Sequence, residues 1–298
     1  MTHEHAASEP LGIVGTGRVA CAMGRLLQLR GESVGAVAGR SVEKSVRAGS
    51  FIGGDVRPVS CAELPALVRR VLIAVPDSEI AGVARTLAAA GMRGGLALHT
   101  SGALGPNVLA PLRGAGVSCA VLHPLQSIAS AEQGLRGLTG ITFGLGGDAA
   151  ALAWSLHLVQ LLESRGLSIG EEGWVAYHAG AAIASNGLIA ILHTALLLLG
   201  EAGIGPREAL DALSPLCATT LQNAVSLGPR GALTGPIARG DVDSVALHVA
   251  ALTDLPAGVL QFYKAVSLQI LAVARERGLP QAHAEQLERL LRPSSVGP

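Results

Sequence analysis

The sequence predicts an α/β protein in which an N-terminal, mostly parallel sheet domain is followed by an all-helical domain. Three observations carry that prediction. Between Leu11 and Leu145, short apolar runs alternate with helix-length segments, as in a parallel sheet with crossover helices. Beyond Gly147 the apolar residues recur only at helical spacing. At the start stands LGIVGTGRVACAMGRLLQLR (11–30), a buried-strand run, a glycine turn and an amphipathic helix in immediate succession. The expected division is a flexible tail at 1–10, a sheet domain at 11–147 and a helical domain at 148–298.

The glycine turn is the most informative stretch. Gly15 permits a tight turn, Gly17 lets the backbone approach a pyrophosphate, and Ala20 lets helix and strand pack closely. An anion is favoured there by the unpaired N–H groups and dipole of the helix that follows. The turn residues Gly15, Thr16, Gly17, Arg18 and Val19 are therefore expected to bind a dinucleotide. A second strand, SVGAVA (33–38), ends at Gly39-Arg40-Ser41. NAD-preferring sites carry an acid at this place, about 20 residues past the turn, for the ribose 2′-hydroxyl. A guanidinium and a hydroxyl suit a 2′-phosphate instead, so Arg40 and Ser41 point to NADP, with Ser41 as a helix cap the plainer reading.

A weak strand is expected near 56–59 and a strong one at VLIAV (71–75), where Val75 and Pro76 would line the nicotinamide side of a ligand crevice. Asp77 or Ser78 is expected to cap the next helix. Strands at 96–99 and 117–122 each deliver a polar histidine loop to that same edge: His99-Thr100-Ser101-Gly102 and His123-Pro124-Leu125-Gln126-Ser127. A strand at 141–145 and an Asp148-capped helix at 149–164 complete the passage to the helical half. There a long helix runs from Glu171 to Leu199, then helices fill 207–227 and 242–278 around a loop at 228–240. On the long helix, His178 and Ser185 are seven residues apart and share a face, and Asn186 and His193 share the neighbouring one. Polar groups in so apolar a helix need partners or a wet cleft.

Composition narrows the function. The 298 residues are 49% hydrophobic but only 2% aromatic, and 22 basic side chains balance 22 acidic ones. No basic run offers an electrostatic footprint for nucleic acid. Cys21, Cys61, Cys119 and Cys217 lack metal-ligand spacing and read as core residues in a reducing cytosol. No metal site is expected. The polar start has no apolar signal segment, so a cytoplasmic protein is expected. Ala179–Gly200 carries no charge and has the length of a membrane span. Ser185, Asn186, His193 and Thr194 interrupt it, which favours a buried helix in a soluble helical domain or dimer over a membrane segment.

Six motifs together resemble the phosphogluconate-dehydrogenase-like superfamily of two-domain reductases, whose relatives include pyrroline-carboxylate reductase and ketopantoate reductase. They are GTGRVA (15–20), VLIAVPDSEI (71–80), HTSGAL (99–104), HPLQS (123–127), YHAGAAIASN (177–186) and LTGPIARGD (233–241). More closely, the chain is similar to bacterial oxidoreductase-type proteins whose C-terminal half is classed only as a domain of unknown function. The resemblance implies an N-terminal Rossmann domain, a phosphogluconate-dehydrogenase-like helical C-terminal domain and a homodimer with embracing helical domains. Hydroxyacid and ketopantoate reductases carry Lys-x-x-x-Asn on the central helix. Here Asn186 matches the Asn, but Ala182 stands at the lysine position.

The expected activity is NADPH-dependent reduction of a small carbonyl (a 2-keto acid) or imine compound, acting on CH–OH or CH–NH groups. His123 is the first candidate for proton donor, because a histidine ordinarily titrates near working pH, and His178 is the second. Asn186 would orient the substrate and Ser101 would contact nicotinamide or substrate. Arg239, with Ser185, would hold an anionic substrate, and Asp241 would cap the helix from Val242. The rival expectation is a non-catalytic NADP-binding sensor or scaffold.

Overall fold

The computed structural model describes residues 9–292, so most of the expected tail lies outside the described residues. The described residues divide into two compact units, the first ending at Gly187 and the second beginning at Leu188.

In the first unit, β1 (Leu11–Val14), α1 (Arg18–Leu29), β2 (Val34–Ala38), α2 (Val42–Ile52) and β3 (Arg57–Val59) form one half of a sheet. The other half follows through β4 (Arg70–Ile73), α3 (Asp77–Ala89), β5 (Leu96–His99), the short α4 (Ala110–Arg113) and β6 (Ser118–Pro124). The strand order is β3-β2-β1-β4-β5-β6-β7-β8, and the first six strands run parallel. Chain order reverses between β1 and β4, and ligands bind at such a switch point, outside the carboxyl ends of the strands. Both faces of the sheet are covered, so β1 and β4 are buried at every position rather than alternating. Ile13 and Leu72 face one apolar layer, while Val14, Val71 and Ile73 face the other.

The sheet continues past the expected boundary at Gly147. After α5 (Ala131–Gly137), β7 (Thr142–Gly147) pairs antiparallel with β6, and an unexpected strand, β8 (Arg165–Ser168), pairs parallel with β7. Between them α6 (Ala149–Leu161) buries Ala151, Trp154 and Leu158 in the same apolar layer as α1. The compact unit therefore runs to Gly187. Asp148 stands at the N-cap position of α6 as expected, but its side chain makes no capping hydrogen bond. Its carboxylate accepts from the Cys119 backbone N–H (2.7 Å) and from Arg113 Nε (3.0 Å), while the Ser118 hydroxyl accepts from Ala151 N (3.0 Å). Strand β6 thus supplies the cap and fixes the helix to the sheet.

A buried ion pair sits at the amino end of β4. Arg70 Nη2 lies 2.7 Å from Glu32 Oε1, both side chains are 2% exposed, and the guanidinium lies 5.4 Å from the Trp154 ring centre.

The long helix expected from Glu171 is not continuous α. It is α7 (Trp174–Ala182), then a π-helical turn at Ile183–Gly187, then α8 (Leu188–Glu201). The second unit adds α9 (Pro206–Ala232), broken at Gly228, α10 (Pro236–Arg239), α11 (Val242–Ala251), α12 (Ala257–Glu276) and α13 (Gln281–Leu291). Its core gathers Ile237, Val245, Leu271, Ala274, Leu287 and Leu291.

Among the described residues, two stretches, Glu171–Glu201 and Ala257–Glu276, are long and apolar enough to cross a membrane by length and composition. In the first of them Ile183, Ile189, Ile191 and Leu197 are exposed on the single chain, so the expected burial in a domain or dimer would have to come from a second copy.

Candidate active site

The glycine turn opens a cavity of about 940 Å³ at the carboxyl ends of β1, β2 and β4. At Gly15 φ is +130°, and an added Cβ would lie 2.1 Å from the Ala74 carbonyl oxygen, so only glycine serves at the switch point. At Gly17 an added Cβ would meet no protein atom within 4 Å, which leaves the cavity wall open to a close-lying ligand. Gly17 is also the N-cap of α1. It offers no side-chain cap and the first turn holds no acid, so the helix N–H groups stay available to an anion.

Thr16, Arg18 and Val19 line the cavity with the two glycines, and Val75, Pro76 and Thr100 line it beside β4 and β5. At the β2 end the lining is cationic: Arg40, Lys44 and Arg47. Arg47 lies 3.5 Å from Glu43, whereas Arg40 and Lys44 have no ion-pair partner among the described residues. Ser41 is not among the lining residues. Its hydroxyl caps α2 by accepting from Lys44 N at 3.3 Å. Lys44 and Arg47 escaped the sequence reading, although the spacing 40, 44, 47 marks one cationic face at a helix start. Arg18 Nη1 donates to Ala129 O (3.1 Å), tying the turn to the segment after His123-Pro124-Leu125-Gln126-Ser127.

The same unit brings together a histidine cluster. His99 ends β5 and is fully buried. Its Nδ1 accepts from Ser101 N (3.2 Å), so Nε2 carries the proton and faces the Gly105 carbonyl at 3.3 Å. Burial lowers its pKa to about 4, which makes it a neutral structural group. The Ser101 hydroxyl accepts from Ala103 N (3.2 Å) and Leu104 N (3.1 Å), shaping the turn that presents Gly102.

His123 lies inside β6, opposite Gly144 of β7, rather than in a loop beyond the strand. Its ring centre is 6.1 Å from that of His178, and an added Cβ at Gly102 would lie 2.6 Å from His123 Nε2 and 2.8 Å from His178 Cδ2. Ser101-Gly102, His123 and His178 therefore meet in one place. The expectation that His123 titrates near working pH is corrected. Burial first, then the neighbouring His178, pushes its pKa down to about 4, although Asp77 opposes the shift.

Asp77 is the first residue of α3, where Pro76 occupies the cap position and no side chain caps the helix. The Asp77 charge acts on His99 and His123 instead. Tyr177, unassigned from sequence, places its hydroxyl 2.8 Å from His123 Nδ1. Behind it the buried Trp174 ring lies edge-on at 5.8 Å.

Ser185 and Asn186 lie in the π turn and are exposed. The face expected to be shared by His178 and Ser185 requires an unbroken 3.6-residue period, which the π turn interrupts. Arg239 belongs to the second unit, where it is exposed and lies 3.9 Å from Asp241. Asp241 caps α11 as expected, accepting from Ser244 N at 3.0 Å.

Fold and site define a two-unit α/β protein with a dinucleotide-type crevice beside a half-buried histidine–tyrosine cluster. Residues 4–124 match the Rossmann-like domain family, and residues 141–270 match the domain of unknown function DUF2520. The chain thus carries these two domain matches in succession, in the order its motifs implied. No curated protein sequence matches it.

Among solved structures it is similar to protein TM1727 from Thermotoga maritima, with 23% identity and a TM-score of 0.68 over 89% of this chain and 98% of the other. It is similar to BF3122 from Bacteroides fragilis, provisionally assigned as an NADP oxidoreductase, with 21% identity and a TM-score of 0.72 over 89% and 98%. It is also similar to a reductive aminase from Aspergillus terreus in complex with NADPH and ethyl-5-oxohexanoate, with 16% identity and a TM-score of 0.60 over 95% and 92%. At these identities the likeness establishes the fold.

Proposed function

We propose that this chain is an NADPH-dependent reductase of a small carbonyl or imine compound. The observation that carries the reading is the pairing, within one unit, of a glycine-walled cavity bearing Arg40 and Lys44 with the His123–His178–Tyr177 cluster. The turn Gly15–Val19 would hold the pyrophosphate at the start of α1, Arg40 and Lys44 the 2′-phosphate, and Val75 and Pro76 the nicotinamide side. When bound, the dinucleotide supplies a hydride to the carbon of a C=O or C=N bond. Ser101 and Gly102 present the backbone against which the two histidines sit. Asn186 and Ser185, exposed on the π turn, are proposed to orient the substrate, and Arg239 to grip a carboxylate such as that of a 2-keto acid. The likeness to an NADPH-bound reductive aminase supports the reductase class.

The protein is proposed to act in the cytoplasm as a homodimer. On the second unit, Ile189, Leu216, Leu221 and Val225 are 62–79% exposed, an apolar surface that a second copy would cover.

The test is cofactor binding followed by turnover. NADPH should bind more tightly than NADH, and Arg40→Asp should reduce or reverse the preference. Steady NADPH consumption with members of a panel of 2-keto acids and cyclic imines supports the reductase. Binding without consumption across the panel would turn the reading toward an NADP sensor, and equal affinity for the two dinucleotides would remove the 2′-phosphate assignment.

A further inference from the structure

We infer that the hydroxyl of Tyr177, rather than a histidine, delivers the proton in this reduction, and that His123 positions it. The inference rests on the reductase reading above and assigns the acid within its site.

Three elements converge on the Tyr177 oxygen. From β6, His123 Nδ1 lies 2.8 Å away, with the rings edge-on at 89° and 5.5 Å. From β7, directly across the ladder from His123, Gly144 approaches so closely that an added Cβ would lie 2.7 Å from the phenol oxygen. Only glycine at 144 leaves room for that hydroxyl. From α7 itself, the Trp174 ring backs the phenol. The hydroxyl is built into its place rather than left on a solvated helix face.

The charge states agree with that geometry. The groups facing the pair are His99 at the end of β5, Asp77 on α3 and His178 on the same helix as Tyr177. Burial keeps His99 and His123 neutral near pH 7. A neutral His123 has a single ring proton. Placed on Nδ1, that proton is donated to the phenol oxygen and leaves the phenol's own proton free for a ligand. Burial also raises the Tyr177 pKa, so the phenol stays loaded with its proton across the neutral range.

The substrate carbon gains the hydride with its electron pair, and the substrate oxygen or nitrogen takes the Tyr177 proton. The O–H electrons remain on a phenolate held by His123 Nδ1–H. Water then returns the proton.

The chain has two tyrosines, so a Tyr263→Phe background leaves Tyr177 as the only phenol, and ultraviolet absorbance of the phenolate reports its ionisation without any ligand. The midpoint should lie above the ordinary value of about 10. His123→Leu, which keeps bulk but removes the donor, should raise it further, and His123→Asn, which keeps an N–H, should restore it. An unmoved midpoint in His123→Leu overturns the positioning role.

Tyr177→Phe keeps the ring against Trp174. It should lower turnover by about 10²–10⁴-fold with any panel compound the parent reduces, while NADPH affinity stays unchanged. The parent rate should be level from about pH 5 to pH 9, whereas a fall centred on the ordinary histidine value of about 6.5 would give the role back to a histidine. A parent that binds NADPH but reduces nothing fails the reductase reading and this inference with it. An active parent whose Tyr177→Phe variant is equally active fails the inference alone.

Discussion

The two neutral histidines make the first unit sensitive to mild acid, and the size of the effect follows from their environment. His99 and His123 each fall from an ordinary 6.5 to about 4, chiefly because burial disfavours the charged ring. Between those values the unfolded chain binds a proton that the folded chain refuses. Stability is therefore complete above about pH 6.5 and declines as pH falls toward 4. At about 1.4 kcal/mol per pH unit, each histidine accounts for roughly 3 kcal/mol once pH is below 4, and for about 2 kcal/mol at pH 5. His123 is less buried than His99, so water screens it more and its share is the smaller.

Both tryptophans, Trp154 and Trp174, lie in the first unit, so fluorescence during urea unfolding reads that unit. Between pH 7 and pH 5 the unfolding free energy should fall by about 3–4 kcal/mol, and His123→Asn should remove the smaller part of that dependence. A change below about 0.5 kcal/mol over this range would refute the burial argument for both residues.

Two other outcomes are expected. Arg70→Ala should cost about 3–5 kcal/mol by stranding Glu32 in the interior, whereas the paired change Arg70→Leu with Glu32→Leu should cost far less in the same urea assay. Light scattering at micromolar concentration should find a dimer whose dissociation follows Leu216→Glu or Val225→Glu on α9, and a monodisperse parent monomer would contradict the proposed interface.

The sequence announced the crevice more fully than the chemistry beside it. Gly15 and Gly17 were legible because a turn joining a buried strand to a helix has few solutions, and the structure holds them at the switch point. Strand β8 was not legible. Its four residues, Arg-Gly-Leu-Ser, are all exposed and show no alternation, so it exists through backbone pairing with β7. Helix α6 is apolar almost all round, a pattern that does not distinguish a sheet-covering helix from the first helix of a bundle. Asp148 stands at the cap position of α6 but turns its carboxylate to Cys119 and Arg113, and Asp77 lies one residue inside α3 rather than at its cap. Tyr177 carried a signal, a polar aromatic beside His178 in a chain with few aromatics. Its meaning depended on Gly144 and His123, more than thirty and fifty residues away in a register only the folded sheet reveals.

An eight-stranded sheet has two free borders, and both here are poor templates for another chain. At one, β3 is three residues long and includes Pro58, which has no N–H to offer, beside the charged Arg57. At the other, β8 is four residues long and begins with Arg165. Parallel strands pair late in folding because their partners are distant along the chain. During that interval an unfinished sheet is open to edge-to-edge pairing with other copies, the route to aggregates. Short, charged or donor-poor borders at both ends close that route while the long-range pairings are still being made.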